Sequence, residues 1–281
     1  MALAKALCPS TRLEGFFMSD PFIFQSNDSP LLISIPHVGR EVPPELFEKM
    51  TPAGRELADT DWHLDQLYDF GRSLNASVLM ARYSRYVVDL NRPPNDETLY
   101  PGQTKTGLFP QLTFRGEPVF SHDGEPDEAE RERRLSTYWH PYHRKLGEEI
   151  ARIKARHGKV LVWEAHSIAS QLPRLFPGKL SDLNVGTNGG LSAAPELLDA
   201  VKSSLKGCPY TWVLNDRFKG GYITRHFGAP AHGVHTIQLE MCHSTYMNED
   251  HPYDYRPDLA NQVKPVVAGM VSAALDALNK L

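Results

Sequence analysis

Two histidines, two glutamates and an arginine follow closely on short apolar runs in this 281-residue sequence, a set suited to holding a metal ion and moving a proton. Residues 31–35 (LLISI) lead into Pro36-His37-Val38-Gly39, and residues 86–90 (YVVDL) into Asn91-Arg92-Pro93-Pro94. Residues 160–163 (VLVW) lead into Glu164-Ala165-His166-Ser167, and residues 234–239 (VHTIQL) into Glu240. A hydrolytic zinc site takes three protein ligands from His and carboxylates and keeps one position for water. His37 and His166 supply two of them. The third is a carboxylate, with Asp61 in the stretch Asp59-Thr60-Asp61-Trp62 as first candidate because it opens the next helical segment. Glu41, four residues after His37, competes with it, and Asp59 is a further option that an N-cap role would equally explain. Glu240 ends an apolar run, where a carboxylate is costly to bury without a partner, and so marks a functional group.

Other candidates carry less. His140 and His143 are three apart but lie in a long amphipathic stretch, and they are read as packing and helix-surface residues. His226, His232, His235, His243 and His251 have no ligand spacing. Cys242 lacks the His–Asn arrangement that would make it a nucleophile.

The groups at run ends need a scaffold that brings those ends together. The runs already quoted, with residues 76–80 (ASVLM) and 210–214 (YTWVL), read as buried strands. Residues 61–74, 127–157, 195–205 and 257–278 show apolar positions at helical spacing between them. Strand and helix alternate, so the expected class is α/β: a mostly parallel mixed sheet flanked by helices, in a single domain over residues 1–281. In such sheets ligands bind beyond the carboxyl ends of the strands, where these polar groups fall. Residues 93–127, rich in Gly, Pro, Thr and Asn, form a loop or small hairpin insertion.

Composition removes several function classes. The net charge is −4 with dispersed basic residues, which argues against nucleic-acid or anionic-membrane partners. No apolar run reaches spanning length. Cys8, Cys208 and Cys242 form no C-x-x-C pair, which suits a reducing compartment, and a cytoplasmic location is expected.

The segments SIPHVG, DTDWHLDQLYDF, SRYVVDLNRPP, LYPGQTKTGLFP, WEAHS, LNVGTNGG, FKGGYITRHFG and IQLEM together resemble the N-formylglutamate amidohydrolases, or deformylases. The resemblance extends from about residue 30 to about residue 250. It implies release of formate and L-glutamate in a late step of histidine degradation, with a small N-acyl amino acid as substrate. A more distant likeness to zinc carboxypeptidases implies a carboxypeptidase-like fold. It also implies a zinc (or cobalt) ion on His37, Asp61 and His166, with Glu240 as general base and Arg85 facing the oxyanion. These enzymes place their carboxylate three residues after the first His, where this chain has Arg40; that departure from the likeness leaves the acid opening the next helix, Asp61, as the expected ligand, with Glu41 as its competitor. A dicarboxylate substrate implies paired anchors: Asn91 with Arg92 for one carboxylate and Arg225 for the other, with Thr104 and Thr106 as hydroxyl donors. Two rival expectations are a zinc amidohydrolase for another N-acyl amino acid and a non-catalytic carboxylate-binding protein of the same fold.

Overall fold

In a computed structural model, described over residues 20–98, 106–121 and 124–281, seven strands form one mixed sheet. They are β1 (Phe22–Gln25), β2 (Leu31–Ile35), β3 (Ser77–Ala81), β4 (Val160–Ile168), β5 (Leu183–Gly186), β6 (Trp212–Leu214) and β7 (Val234–Cys242), in the order β1-β3-β2-β4-β7-β5-β6. The pairs β3/β2, β2/β4, β4/β7 and β5/β6 are parallel, whereas β1/β3 and β7/β5 are antiparallel. The helices are α1 (Pro44–Phe47), α2 (Pro52–Arg55), α3 (Leu64–Leu67), α4 (Glu128–Arg134), α5 (His140–His157), α6 (Pro195–Ser204), α7 (Tyr222–Phe227) and α8 (Pro257–Lys280). No helix among the described residues is long and apolar enough to cross a membrane.

The alternation of side chains along β4 and β7 decides where chemistry can occur. Leu161, Trp163 and Ala165 of β4, with Ile237, Leu239 and Met241 of β7, face the larger core built with α6 and α8. Val160 and Val162, with Val234, face the second core, where Tyr142, Leu146 and Ile153 of α5 cover them. Continuing along that second face, the apolar residues give way to Glu164 and His166 on β4 and to Gln238 and Glu240 on β7. Both strands therefore run further than their apolar stretches, and the polar groups sit inside the ladder at its carboxyl end.

Two expected elements differ. The run YVVDL is no strand: the Val87 N–H donates to Ser84 O at 2.9 Å and the Asp89 N–H to Leu108 O at 2.8 Å, so turns replace a ladder. Its valines are apolar because the segment is buried in the second core. The helix expected over 61–74 is reduced to α3 and a 3-10 turn at Tyr68–Arg72. Asp61 lies before it, its N–H donating to His37 O at 3.0 Å, and His63 takes a left-handed φ of 62° ahead of the first turn. β1 and β5, four residues each, had no periodicity long enough to identify them. Within the 93–127 segment, Leu112 pairs antiparallel with Pro118 and the Thr113 N–H donates to Glu117 O at 2.8 Å, closing a small hairpin.

Residues 128–157 are helical throughout, with Asp127 as the N-cap and a π-helical segment at Leu135–Trp139 joining α4 to α5. His143 is buried there, stacked on Trp139 at a centroid distance of 3.8 Å, and its Nε2–H donates to Leu90 O at 2.9 Å. Burial pushes its pKa down to about 3, and burial likewise lowers His243 to about 4. Both rings are thus neutral in the folded chain but charge on unfolding, so each contributes stability above pH 6.5 that is lost as pH falls toward its folded pKa. Between pH 7 and 5 each of these two histidines should therefore lower the free energy of urea unfolding by about 2 kcal/mol. In His143→Gln the slope should be shallower; an unchanged slope would remove His143 from the account.

Candidate active site

His37 leaves the carboxyl end of β2, and His166 lies in β4 beside it. Their rings are 4.9 Å apart, and Asp61 Oδ2 stands between their Nδ1 atoms, 3.2 Å from His166 and 3.8 Å from His37. The three buried side chains form a group able to hold a metal ion, with one donor atom from each lying within 4.8 Å of the others. The opposite edge of each ring is fixed by a carboxylate. His37 Nε2 is 2.8 Å from Asp89 Oδ1, and His166 Nε2 is 2.8 Å from Glu164 Oε1. A carboxylate only accepts, so His37 Nε2 carries the proton and its Nδ1 is directed inward, the arrangement that orients histidine ligands, whereas His166 has a carboxylate at each ring nitrogen, Glu164 at Nε2 and Asp61 at Nδ1. His37 Nδ1 and Asp61 Oδ1 are buried with no hydrogen-bond partner. Such orphan acceptors are what a cation would satisfy, and the donor set of two imidazoles and a carboxylate fits a borderline metal.

Glu41 is elsewhere. Its side chain is 54% exposed and 3.4 Å from Arg82, and its backbone bridges to Tyr83, which turns it away from the cluster. Asp59 caps no helix; its Oδ2 accepts the Phe114 N–H at 2.8 Å, and burial raises its carboxyl to about 6.

Electrostatics divide the remaining acids. Burial would raise Asp89, yet Arg85, whose Nη2 donates to Asp89 Oδ2 at 2.6 Å, together with His37 holds it well below the usual carboxylate range. Burial would likewise raise Asp61, but the hydrogen bond from His166 and the adjacent His37 lower it. Burial lowers His166, but Glu164 and Asp61 outweigh it and bring the imidazole up to about 10. Glu240 is directly opposite His166 in the β4/β7 register. Burial, reinforced by Asp61 and Glu164, raises its carboxyl to about 8.

An open cavity joins these groups, lined by His37, His166, Glu240, Arg85, Arg92 and Thr106 among others. Arg85 is buried, with Nη1 donating to Asp59 O at 3.4 Å and its guanidinium 4.7 Å from the Phe114 ring. The Nε of Arg92 donates to Thr106 O at 2.8 Å, Nη1 to Asn91 O at 2.9 Å, and Nη2 to the Thr106 hydroxyl. Asn91 also lines the cavity, but its amide is engaged: Oδ1 accepts the Ile223 N–H at 2.9 Å and Nδ2 is 3.0 Å from His166 Nε2. Thr104 falls outside the described residues. Arg225 does not line the cavity, because the first turn of α7 directs its Nε back onto Gly220 O at 2.8 Å. Asp89, inside an apolar run, and Arg217, in the connection from β6 to α7, are the members that sequence reasoning did not single out. The Asn that precedes Arg92 by one position gave no hint of either.

Residues 29–247 match the N-formylglutamate amidohydrolase family. An N-formylglutamate deformylase of Pseudomonas aeruginosa is 47% identical over 92% of this chain and 97% of its own. That of Pseudomonas putida is 47% identical over 90% and 94%. The crystal structure of N-formylglutamate amidohydrolase from Ralstonia eutropha JMP134 overlays with a TM-score of 0.77 at 26% identity, covering 91% of this chain and 97% of that one.

The contact of Asn91 with α7 requires a glycine. A Cβ on Gly221 would fall 2.3 Å from Asn91 Nδ2 and 2.5 Å from its Oδ1. Gly221→Ala must therefore displace the amide that abuts His166. We expect a loss of about 1–3 kcal/mol in urea denaturation, the usual cost of overpacking. Stability equal to the parent would show that the amide is free to move.

Proposed function

The chain belongs to the N-formylglutamate amidohydrolase family, and from that premise we propose that it hydrolyses the formyl amide of N-formyl-L-glutamate to formate and L-glutamate, a late step of histidine degradation. The observation that carries this reading is the convergence of His37 Nδ1, Asp61 and His166 Nδ1 beside a cavity that the two histidines line together with Glu240 and arginine side chains. These three residues would hold zinc, with cobalt as a working substitute, and Asp61 rather than Glu41 is the carboxylate ligand because Glu41 stands at the surface. Bound there, zinc supplies Lewis acidity, lowering the pKa of water toward about 7 and polarising the formyl carbonyl.

The chain's own residues do the rest. Glu240 has a carboxyl near 8 and a side chain that none of the described residues hydrogen-bonds, so it can take a proton from water and return it to the departing amine nitrogen. Proton affinity close to the working pH suits a group that must do both. Arg85 lines the cavity with its charge fixed by Asp89, and it faces the developing oxyanion. Arg92 has five N–H donors, three of which go to Thr106 and Asn91, leaving donors for a substrate carboxylate. Thr106 acts by positioning Arg92, and Asn91 by abutting His166.

Formate release measured across N-formyl-Glu, N-formyl-Asp, N-acetyl-Glu and N-formimino-Glu should favour the first. A chelator should abolish activity and zinc or cobalt should restore it; full turnover by protein shown to be metal-free would end the zinc reading. His37→Ala, Asp61→Ala and His166→Ala should each lose bound metal by elemental analysis, while Glu41→Ala retains it. Glu240→Gln should keep metal and substrate affinity yet lower kcat by roughly 10²–10⁴-fold. A larger effect on KM than on kcat would reassign Glu240 to binding.

A further inference from the structure

The geometry points to Arg217 as the residue that recognises the side-chain carboxylate of the substrate and sets the preference for an acidic N-formyl amino acid; this rests on the N-formylglutamate reading above. The substrate carries two carboxylates at unequal distances from the scissile bond. Its α-carboxylate is attached to the carbon that bears the amide nitrogen, whereas the γ-carboxylate lies two methylenes further away. The anchors must therefore differ in how far they stand from the reacting groups. Arg92 adjoins Asn91, whose amide abuts His166, and so belongs with the α-carboxylate. Arg217 enters the same cavity from another element, the connection between β6 and α7.

That connection is held at both ends. The Asn215 N–H donates to Val185 O at 2.8 Å, and the Gly221 N–H donates to the Gln238 side chain at 2.7 Å. In its middle the chain crosses Gly186 so closely that a Cβ there would lie 2.7 Å from Gly220 N and 2.8 Å from Phe218 O. The Arg217 guanidinium is anchored as well, donating through Nη2 to Leu175 O and lying 5.0 Å from the Phe176 ring and 5.8 Å from the Phe218 ring. Leu175, Phe218 and Ile168 line the cavity alongside it, an apolar wall suited to the two methylenes. A guanidinium so positioned loses little freedom on pairing with a carboxylate, and its apolar surroundings strengthen the ion pair.

The test compares N-formylglutamate with N-formylglutamine, which keeps the shape and the α-carboxylate but not the γ-charge. Arg217→Ala should lower kcat/KM for N-formylglutamate roughly 30-fold or more, chiefly through KM, and change N-formylglutamine little. Arg217→Lys should recover part of the loss, and Arg225→Ala should leave the preference between the two substrates intact. Because a misfolded loop would slow both substrates alike, the ratio of the two is the deciding quantity. Equal losses on both substrates overturn the assignment, as does parental activity lacking any preference for the acid. Parental protein that hydrolyses neither formyl amide removes the functional reading itself, a result separable from a failure at Arg217.

Discussion

Five buried carboxyl groups, Asp59, Asp61, Asp89, Glu164 and Glu240, crowd the carboxyl end of the sheet with the buried guanidinium of Arg85, and much of the fold near the cavity serves to make that tolerable. Burying unpaired ions costs several kcal/mol each, so every acid needs donors. Asp89 takes them from Arg85, from His37 and from the Asn91 N–H at 2.9 Å. Glu164 takes them from His166 and from the Thr224 hydroxyl at 2.6 Å. Asp59 takes the Phe114 N–H. Those contacts tie the β3–α4 connection to the segment after β2, α7 to β4, and the 111–119 hairpin to the loop that carries Asp61. What they leave over is not scattered: an Asp61 oxygen and His37 Nδ1 remain orphaned, and Glu240 stands beside them in the adjoining strand. Unshared lone pairs on a carboxylate and an imidazole coincide at one place, which is the argument for a cation there.

The same balance explains why much of the site was legible in the sequence and part of it was not. His37, His166 and Glu240 follow continuous apolar runs, and a polar residue in that position has few structural reasons to exist. The α/β class and the helices at 195–205 and 257–278 were equally readable, because there the apolar face of the periodicity packs into the larger core. Asp89 was hidden by the opposite circumstance. Its neighbours Val87, Val88 and Leu90 are apolar for burial beneath α5, not for pairing in a sheet, and a short buried loop has the composition of a buried strand. Arg217 and Arg225 illustrate a different limit. Arg217 stands in the connection that leads to Gly220 and Gly221 and Arg225 in the short helix that follows, and the direction of each depends on which carbonyl captures it, a tertiary matter. Gly220 O captures Arg225, whereas Leu175 O holds Arg217 at the cavity.

A division of labour follows from where each group is mounted. His166 and Glu240 are held in ladder register on adjacent parallel strands, so their separation is set by backbone hydrogen bonds. Groups that must meet reacting atoms need that rigidity, since small misplacements weaken both proton transfer and charge stabilisation. Arg92, Thr106 and Arg217 lie on connections, each tied to neighbouring carbonyl or hydroxyl groups and not to the sheet ladder. A substrate carboxylate that does not react tolerates more variation in its partner's position, because its contacts contribute similarly before and during reaction. The sheet can therefore keep one hydrolytic arrangement while the connections change which acyl amino acid enters. In this chain three arginines line the cavity among the described residues, but Arg85 is committed to Asp89. The other two, Arg92 and Arg217, stand on connections, so the charge that would meet a substrate carboxylate is mounted apart from the groups held in the ladder.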